Sequence, residues 1–443
     1  NKEFHKKQNF FSFSDIDSER KERIMKFTST EATPAPHVPP GVLRLTGAAK
    51  EDIPMYRIQT MNKISPVGLN RFPSELYEVG DAVQDPQGIL VRSAKLLDLE
   101  FNPSLLAIAR AGVGVNNIPL DRCAAAGIPV FSTPGANANA VKELVICAML
   151  MGSRDIPGAI RWVREQAASG VDVSTVVEKG KSAFIGPELY KKTLGIIGLG
   201  AIGSIVANTA ISLGMDVYGY DPFLSVDTAL RLDRHVHVVK DINDLYKRSD
   251  YITMHIHYTE KTAHMIDASA IAAMKRGVRV INLARGEIVD DEAMLTALDT
   301  GMVAAYITDF PNNRLLTAPH VIAMPHLGAS TPESEQNCAA MAVDALRDYL
   351  ESGNIRSSVN LPEMTMDRSG VQRLCVLHKN VPGMLANITS LFGRDGVNVE
   401  NLSNKSRGDY AYTMVDVNTR INDQVADELR AIEGVIRVRV LNH

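Results

Sequence analysis

The chain has 443 residues, 45 % of them hydrophobic and 22 % charged, an ordinary balance for a folded protein but too long for a single core. Its net charge of −4 leaves no electrostatic footprint for nucleic acid or an anionic membrane, and no apolar run approaches the ~20 residues of a membrane span. Four scattered cysteines (Cys123, Cys147, Cys338, Cys375) without a C-x-x-C pair argue against a disulfide framework or a metal site and point to a reducing compartment, the cytoplasm.

Residues 1–52 are dominated by Lys, Glu, Ser and Pro, with a proline cluster at Pro34–Pro40, and read as a poorly ordered extension. Acids mixed into it (Glu3, Asp15, Asp17, Glu19) weaken the alternative of an organelle-import segment. From Met55 the pattern is α/β. Strands are expected at 56–61, 88–91, 105–109 and 128–131. Alternation with helical segments predicts a parallel sheet. A turn-rich stretch from Ser132 to Asn139 precedes an apolar helix over 141–151, placed to cross between two domains.

The most informative stretch follows. Thr193–Ile197 reads as a buried strand, Gly198, Gly200 and Gly203 form G-x-G-x-x-G, and the apolar run to Leu213 reads as a helix. Gly198 permits the tight turn, Gly200 lets the backbone approach a pyrophosphate, and Gly203 lets helix and strand pack closely. The helix start favours that anion. Strand 216–220 then ends on Asp221, a carboxylate suited to the ribose hydroxyls of NAD and repelling an NADP phosphate. Strand, glycines, helix, strand and acid in this order give the motif its context. Further strands are expected at 251–255, 278–283, 303–308 and 320–324. A helix over 332–350 returns to the first domain, and the polar stretch 352–370 reads as a linker. The last residues give strands and helices in the order βαββαβ, a ferredoxin-like arrangement.

Candidate chemistry stands at strand ends, where open α/β sheets bind ligands. Arg285 follows strand 278–283 and is suited to grip a carboxylate. His326 follows strand 320–324 and is suited to move a proton. Arg92 and Arg110 end two strands of the first sheet and imply an anionic substrate, plausibly a phosphate.

Together, Val91-Arg92-Ser93, Arg110-Ala111-Gly112-x-Gly114, the Gly198–Gly203 fingerprint, Tyr220-Asp221-Pro222, Ala284-Arg285-Gly286 and Pro325-His326-Leu-Gly-Ala-Ser-Thr331 resemble the D-isomer-specific 2-hydroxyacid dehydrogenases. The resemblance runs from about Met55 to the C-terminus. It implies two Rossmann-like parallel-sheet domains, with the NAD-binding one (134–331) inserted in a substrate domain (53–133 and 332–360). It implies Arg285 as the substrate-orienting arginine, His326 as acid–base, and Arg92 and Arg110 as carboxylate or phosphate contacts. NAD contacts are implied at Gly198, Gly200, Ala201, Ile202, Gly203, Asp221, Ala284, Asp309, His326, Gly328 and Ala329. The implied reaction is oxidation of 3-phosphoglycerate at C2 in a homo-oligomer, dimer or tetramer. Alternatives are another small 2-hydroxy or 2-oxo acid as substrate, or a catalytically weak NAD sensor.

Residues 371–443 resemble an ACT domain. That resemblance implies an L-serine effector site at His378, Asn380 and Asn398. One departure stands out. The family pairs its histidine with a glutamate, yet no acid lies between Asp309 and His326, and Arg314 stands roughly in the glutamate's place.

Overall fold

The computed structural model describes residues 55–442; the extension read at 1–52 lies outside the described residues. The first sheet is built from β1 (Tyr56–Thr60), β2 (Tyr77–Gly80), β3 (Gly88–Val91), β4 (Ala107–Arg110) and β5 (Val130–Phe131), with the short helices α1 (Pro66–Leu69) and α2 (Leu120–Ala125) between them. Its order is β2-β1-β3-β4-β5, every pairing parallel. β3 is buried along its length, as expected of a central parallel strand covered on both faces. The edge strand β2 escapes the sequence reading because it is short and half exposed.

Helix α3 (Ala138–Arg154) leaves this sheet, followed by α4 (Ile156–Ala168) and α5 (Val173–Gly180). Then comes the second sheet: β6 (Thr193–Ile197), α6 (Ala201–Ser212), β7 (Asp216–Tyr220), α7 (Val226–Ala229), β8 (Val236–Val239), α8 (Ile242–Arg248), β9 (Tyr251–Met254), α9 (Ala268–Ala272), β10 (Val278–Asn282), α10 (Asp291–Asp299), β11 (Val303–Thr308) and β12 (Val321–Ala323). The order β12-β11-β10-β9-β6-β7-β8 is the doubly wound Rossmann order with one strand added. Its switch point falls between β6 and β9, where such sheets bind ligands. Helix α11 (Pro332–Ser352) returns to the first sheet. It starts at an N-cap, Thr331, whose side chain accepts from the Ser334 N–H, and Pro332 opens the helix, the arrangement expected of a well-made N-terminus. It lies so close to α1 that a Cβ on Gly68 would stand 2.6 Å from Ala339.

The C-terminal unit comprises β13 (Gln372–Lys379), α12 (Met384–Arg394), β14 (Val399–Arg407), β15 (Tyr410–Val417), α13 (Asp423–Ala431) and β16 (Val435–Asn442). Its antiparallel sheet runs β14-β15-β13-β16. Alternation along β13 sorts the two faces. Leu374 and Val376 join Ile388, Phe392 and Leu429 beneath the two helices. Cys375 and Leu377, with Tyr412, Met414 and Leu441, turn the other way and share a core with Leu346, Tyr349 and Leu350 of α11.

The stretch 352–370 is not the solvated linker its composition suggests. Ile355, Leu361 and Met364 are buried in that shared core. Ile355 and Met364 bond to each other through both backbone groups, and Ser358 bridges to Phe131. Few apolar residues suffice because they lie between two preformed faces. Arg373, fully buried, fixes the junction. Its guanidinium forms a two-pronged pair with Asp416 at 2.6 and 2.8 Å and donates to the carbonyls of Ser352, Met366 and Asp367. Burial alone would push the Asp416 carboxyl up, but Arg373 and the Ser369 N–H hold it below the usual carboxylate range. Removing one partner strands a buried charge. Asp416→Ala is therefore expected to cost about 3–5 kcal/mol in chemical denaturation. The double variant Arg373→Met/Asp416→Leu should recover most of it. A single variant within error of the parent would contradict this account.

Candidate active site

The glycine fingerprint sits at the switch point. Gly198 adopts φ 90°, and a Cβ there would meet the His255 carbonyl at 2.6 Å. At Gly203 a Cβ would lie 1.9 Å from the Gly198 carbonyl oxygen, so only glycine lets α6 pack on this turn. Gly200 faces open space at the start of α6, with Ala201 exposed and Ile202 half-buried beside it. Asp221 accepts from the backbone N–H of Leu199 and of Phe223, each at 2.9 Å, which ties the end of β7 to the glycine turn. Carboxylate oxygens each carry further lone pairs, so these bonds leave acceptor capacity.

The two parallel sheets contribute guanidinium groups to one place. Arg110 ends β4 of the first sheet, and its Nε donates to the Arg92 carbonyl at 3.0 Å. Arg285 follows β10 of the second sheet. A Cβ on Gly114 would stand 3.2 Å from an Arg285 nitrogen and 3.9 Å from one of Arg110, so the Gly112–Gly114 loop makes room for both. Burial pulls the Arg110 pKa down, and the charges of Arg285 and Arg92 add to this. Arginine does not give up its proton in proteins. The shift instead marks a charge disfavoured first by burial and then by its cationic neighbours, both of which an arriving anion offsets. Arg92 meets Glu335 of α11 at 2.5 Å.

His326 is exposed at the end of the β12 segment. Its ring packs against Phe310, centroids 4.6 Å apart, and the Arg285 guanidinium lies 5.7 Å from the centroid of the same Phe310 ring. Phe310 thus joins the two strand-end groups, a role no spacing in the sequence announces. Buried Asn282 holds the Arg285 turn through the Arg285 carbonyl at 2.8 Å and the Ala284 N–H at 3.1 Å. Arg314 pairs with Glu292.

Asp309 is a carboxylate that feels the His326 charge. It is 1 % exposed, accepts from the Gly328 N–H at 3.2 Å, and keeps Oδ1 without a partner. Burial pushes its pKa up, and His326 and the N–H groups of Gly328 and Leu327 pull it back only in part. Thr133 Oγ1 and Asn137 Oδ1 are also buried without partners, in the loop where Gly135 faces Ala201. Orphaned polar atoms in the loop beside the open glycine turn and at Asp309 suit a polar cofactor and substrate. The residues therefore fit a bound dinucleotide, with Ala284 and Ala329 half-buried at its flank.

In the C-terminal unit His378 is 2 % exposed. Its Nε2 bonds Thr413 and its Nδ1 the Lys379 carbonyl, both at 2.8 Å. Asn380 and Asn398 are exposed. Their amide groups donate to the Gly408 carbonyl and to Glu400 respectively.

Comparison with known proteins agrees with this architecture. Residues 146–328 match the NAD-binding domain of the D-isomer specific 2-hydroxyacid dehydrogenases, and residues 374–437 match an ACT domain of the kind in the acetohydroxyacid synthase (AHAS) small subunit. The chain belongs to the D-isomer specific 2-hydroxyacid dehydrogenase family. Within it, the chain is 32 % identical over 379 residues to D-3-phosphoglycerate dehydrogenase of Haemophilus influenzae, covering 82 % of this chain and 88 % of that one. It is 36 % identical over 326 residues to the Synechocystis enzyme of the same name, covering 72 % of this chain. The chain spans only 56 % of the Synechocystis relative and 55 % and 60 % of those from Methanocaldococcus jannaschii and Bacillus subtilis. Among solved structures, the NAD+-bound 3-phosphoglycerate dehydrogenase of Entamoeba histolytica is 26 % identical with a TM-score of 0.54, covering 69 % of this chain and 99 % of that one. A glyoxylate reductase at 24 % identity and a TM-score of 0.57, covering 69 % of this chain and 98 % of that one, shares the fold.

The raised Asp309 pKa makes a signed prediction. The unfolded carboxyl titrates near ~3.9 and the native one higher. Ionising Asp309 therefore costs native stability: nothing below the unfolded value, and the full amount above the native one. Asp309→Asn keeps an acceptor for Gly328 and removes the charge. It should raise Tm at neutral pH, with the gain fading as pH falls toward ~4. A lower Tm at pH 7 would contradict the assignment.

Proposed function

We propose that this chain is a cytoplasmic, NAD-dependent dehydrogenase that oxidises 3-phosphoglycerate at C2 to 3-phosphohydroxypyruvate, the entry to serine. The observation that carries this reading is the convergence of Arg110 and Arg285, drawn from two sheets, on the loop around Gly114, with the Arg92 charge felt at Arg110. A small acid with a carboxylate at one end and a phosphate at the other answers such a cluster. The relatives named D-3-phosphoglycerate dehydrogenase support that substrate. We take residues 53–133 with 332–360 as the substrate domain, 134–331 as the NAD-binding domain and 371–443 as the regulatory one.

The residues then divide the work. NAD, held at Gly198–Gly203, Asp221 and the Ala284, Asp309 and Gly328–Ala329 turns, supplies the hydride acceptor. Arg285 and Arg110 orient the substrate carboxylate and Arg92 the phosphate, which fixes C2 for transfer. His326 takes the proton from the C2 hydroxyl as the C–H electron pair leaves. Asp309, in place of the glutamate absent from this loop, stabilises the imidazolium that results. NADH formation followed by absorbance, with 3-phosphoglycerate beside other 2-hydroxy acids, tests the reading. His326→Ala should lower turnover about 10²–10⁴-fold with NAD affinity little changed. A variant of near-normal turnover would remove His326 from the mechanism.

We further propose a homo-oligomer regulated by L-serine. Helices α4 and α5 bury no residue of their own, and Ile160, Val163 and Val177 are exposed there, a surface suited to a second copy. In the ACT sheet β16 is covered where Arg437 donates to the carbonyls of Leu105 and Ala126, and β14 is the open edge, the natural seam for pairing. Because His378 is buried and bonded through both ring nitrogens, the exposed Asn380 and Asn398 carry serine recognition. Inhibition by millimolar serine, lost in Asn398→Ala with uninhibited rates preserved, is the expected titration. Absence of both binding and inhibition would end the regulatory reading and leave the catalytic one.

A further inference from the structure

The ion pair between Arg92 and Glu335 is unlike the other contacts of the arginine cluster. Arg110 and Arg285 bond to backbone carbonyls, neutral groups that leave their charge uncompensated. Arg92 instead holds a full negative charge at 2.5 Å, contributed by a residue 243 positions away. Both side chains are a little over two-fifths exposed, so solvent and solutes reach the pair. Glu335 lies in the first turn of α11. That helix is fixed at its other end, where Arg439 donates to the carbonyls of Tyr349 and Leu350 at 2.9 and 2.7 Å. The carboxylate is thus presented to Arg92 by a rigid element, not by a wandering loop.

We propose that Glu335 is an internal counter-anion of the substrate site: its carboxylate occupies Arg92 until a phosphate displaces it, and it thereby sets how tightly the site takes phosphorylated acids. The inference rests on the reading of Arg92 as a substrate contact. Charge decides the exchange. A phosphate monoester carries about −1.5 to −2 at neutral pH against −1 for the carboxylate, and Arg110 and Arg285 add attraction for the more highly charged group. The displaced Glu335 loses little, because the first turn of a helix favours a negative charge and the side chain is already half in water. A singly charged or neutral group at this position lacks the charge to drive the exchange. Glu335 therefore weakens every capture of phosphate by a fixed amount and leaves unphosphorylated 2-hydroxy acids, which do not call on Arg92, unaffected.

Glu335→Gln keeps shape and removes charge. The KM for 3-phosphoglycerate should fall roughly two- to fivefold, the scale of an exposed ion pair, with the change carried by KM rather than by turnover. The KM for unphosphorylated glycerate should stay put. In an Arg92→Gln background the effect of Glu335→Gln should vanish, because the pair is already broken. Calorimetry with inorganic phosphate on the full-length protein provides a readout independent of catalysis. There Glu335→Gln should bind more tightly by the same factor, again only when Arg92 is present. An unchanged or raised KM, an equal change for glycerate, or a phosphate affinity indifferent to Glu335 overturns the inference. If the parent protein oxidises neither acid, the functional reading fails, and the phosphate titration still decides the role of Glu335.

Discussion

The structure depends on the C-terminal turn of helix α11. The last carbonyls of any helix lack intrahelical partners and must find donors. Here the donors come from the ACT sheet: Arg439 to Tyr349 and Leu350, Arg373 to Ser352, and the Tyr412 hydroxyl to Gly353. Arg439 also lies over the Tyr349 ring, 4.5 Å from its centroid. Cations at a helix C-terminus are favoured by its dipole, and burial makes them costly to lose. The same turn thus ends the helix, docks the regulatory module and gives Arg373 and Arg439 an environment in which charge is tolerated. Those carbonyls accept the Arg439 guanidinium in a buried seam, while Arg373 adds Asp416 to its own partners.

The other end of α11 opens directly after the His326 turn and carries Glu335 to Arg92. One rigid element of 21 residues therefore touches both the ACT sheet, through Arg439, and the arginine cluster, through Arg92. A module hung on a slack linker would signal only by restricting domain motion. A module fused to α11 is tied to the cleft by the packed helix itself rather than by a slack chain.

The cleft follows a different economy. Repulsion among Arg92, Arg110 and Arg285, and orphaned oxygens on Thr133, Asn137 and Asp309, are unfavourable in the protein alone. They are features of a surface arranged for charged and polar ligands rather than for its own stability. Asp309 shows this most plainly. An asparagine would bury more comfortably than this carboxylate, whose charge burial disfavours and the His326 ring and backbone N–H groups offset only in part.

Much of this was legible in the residues. Parallel strands, the glycine turn, Asp221 after β7, and arginines and a histidine at strand ends are local patterns. They hold because the period of a strand, the need for glycine at positive φ and the direction of a sheet are properties of short segments. The βαββαβ order of the C-terminal unit was readable for the same reason. What composition obscured was decided at long range. The stretch 352–370 looks like linker until two faces close over Ile355, Leu361 and Met364. Arg373 is one charge in a strand until Asp416 meets it. Phe310 acquires its place between Arg285 and His326, and Glu335 its hold on Arg92, only when two sheets and a returning helix come together. Sequence alone determined which elements form and which chemistry they carry. Tertiary structure decided which charges meet, because the energy of a charge depends on the groups around it in space and not on its neighbours along the chain.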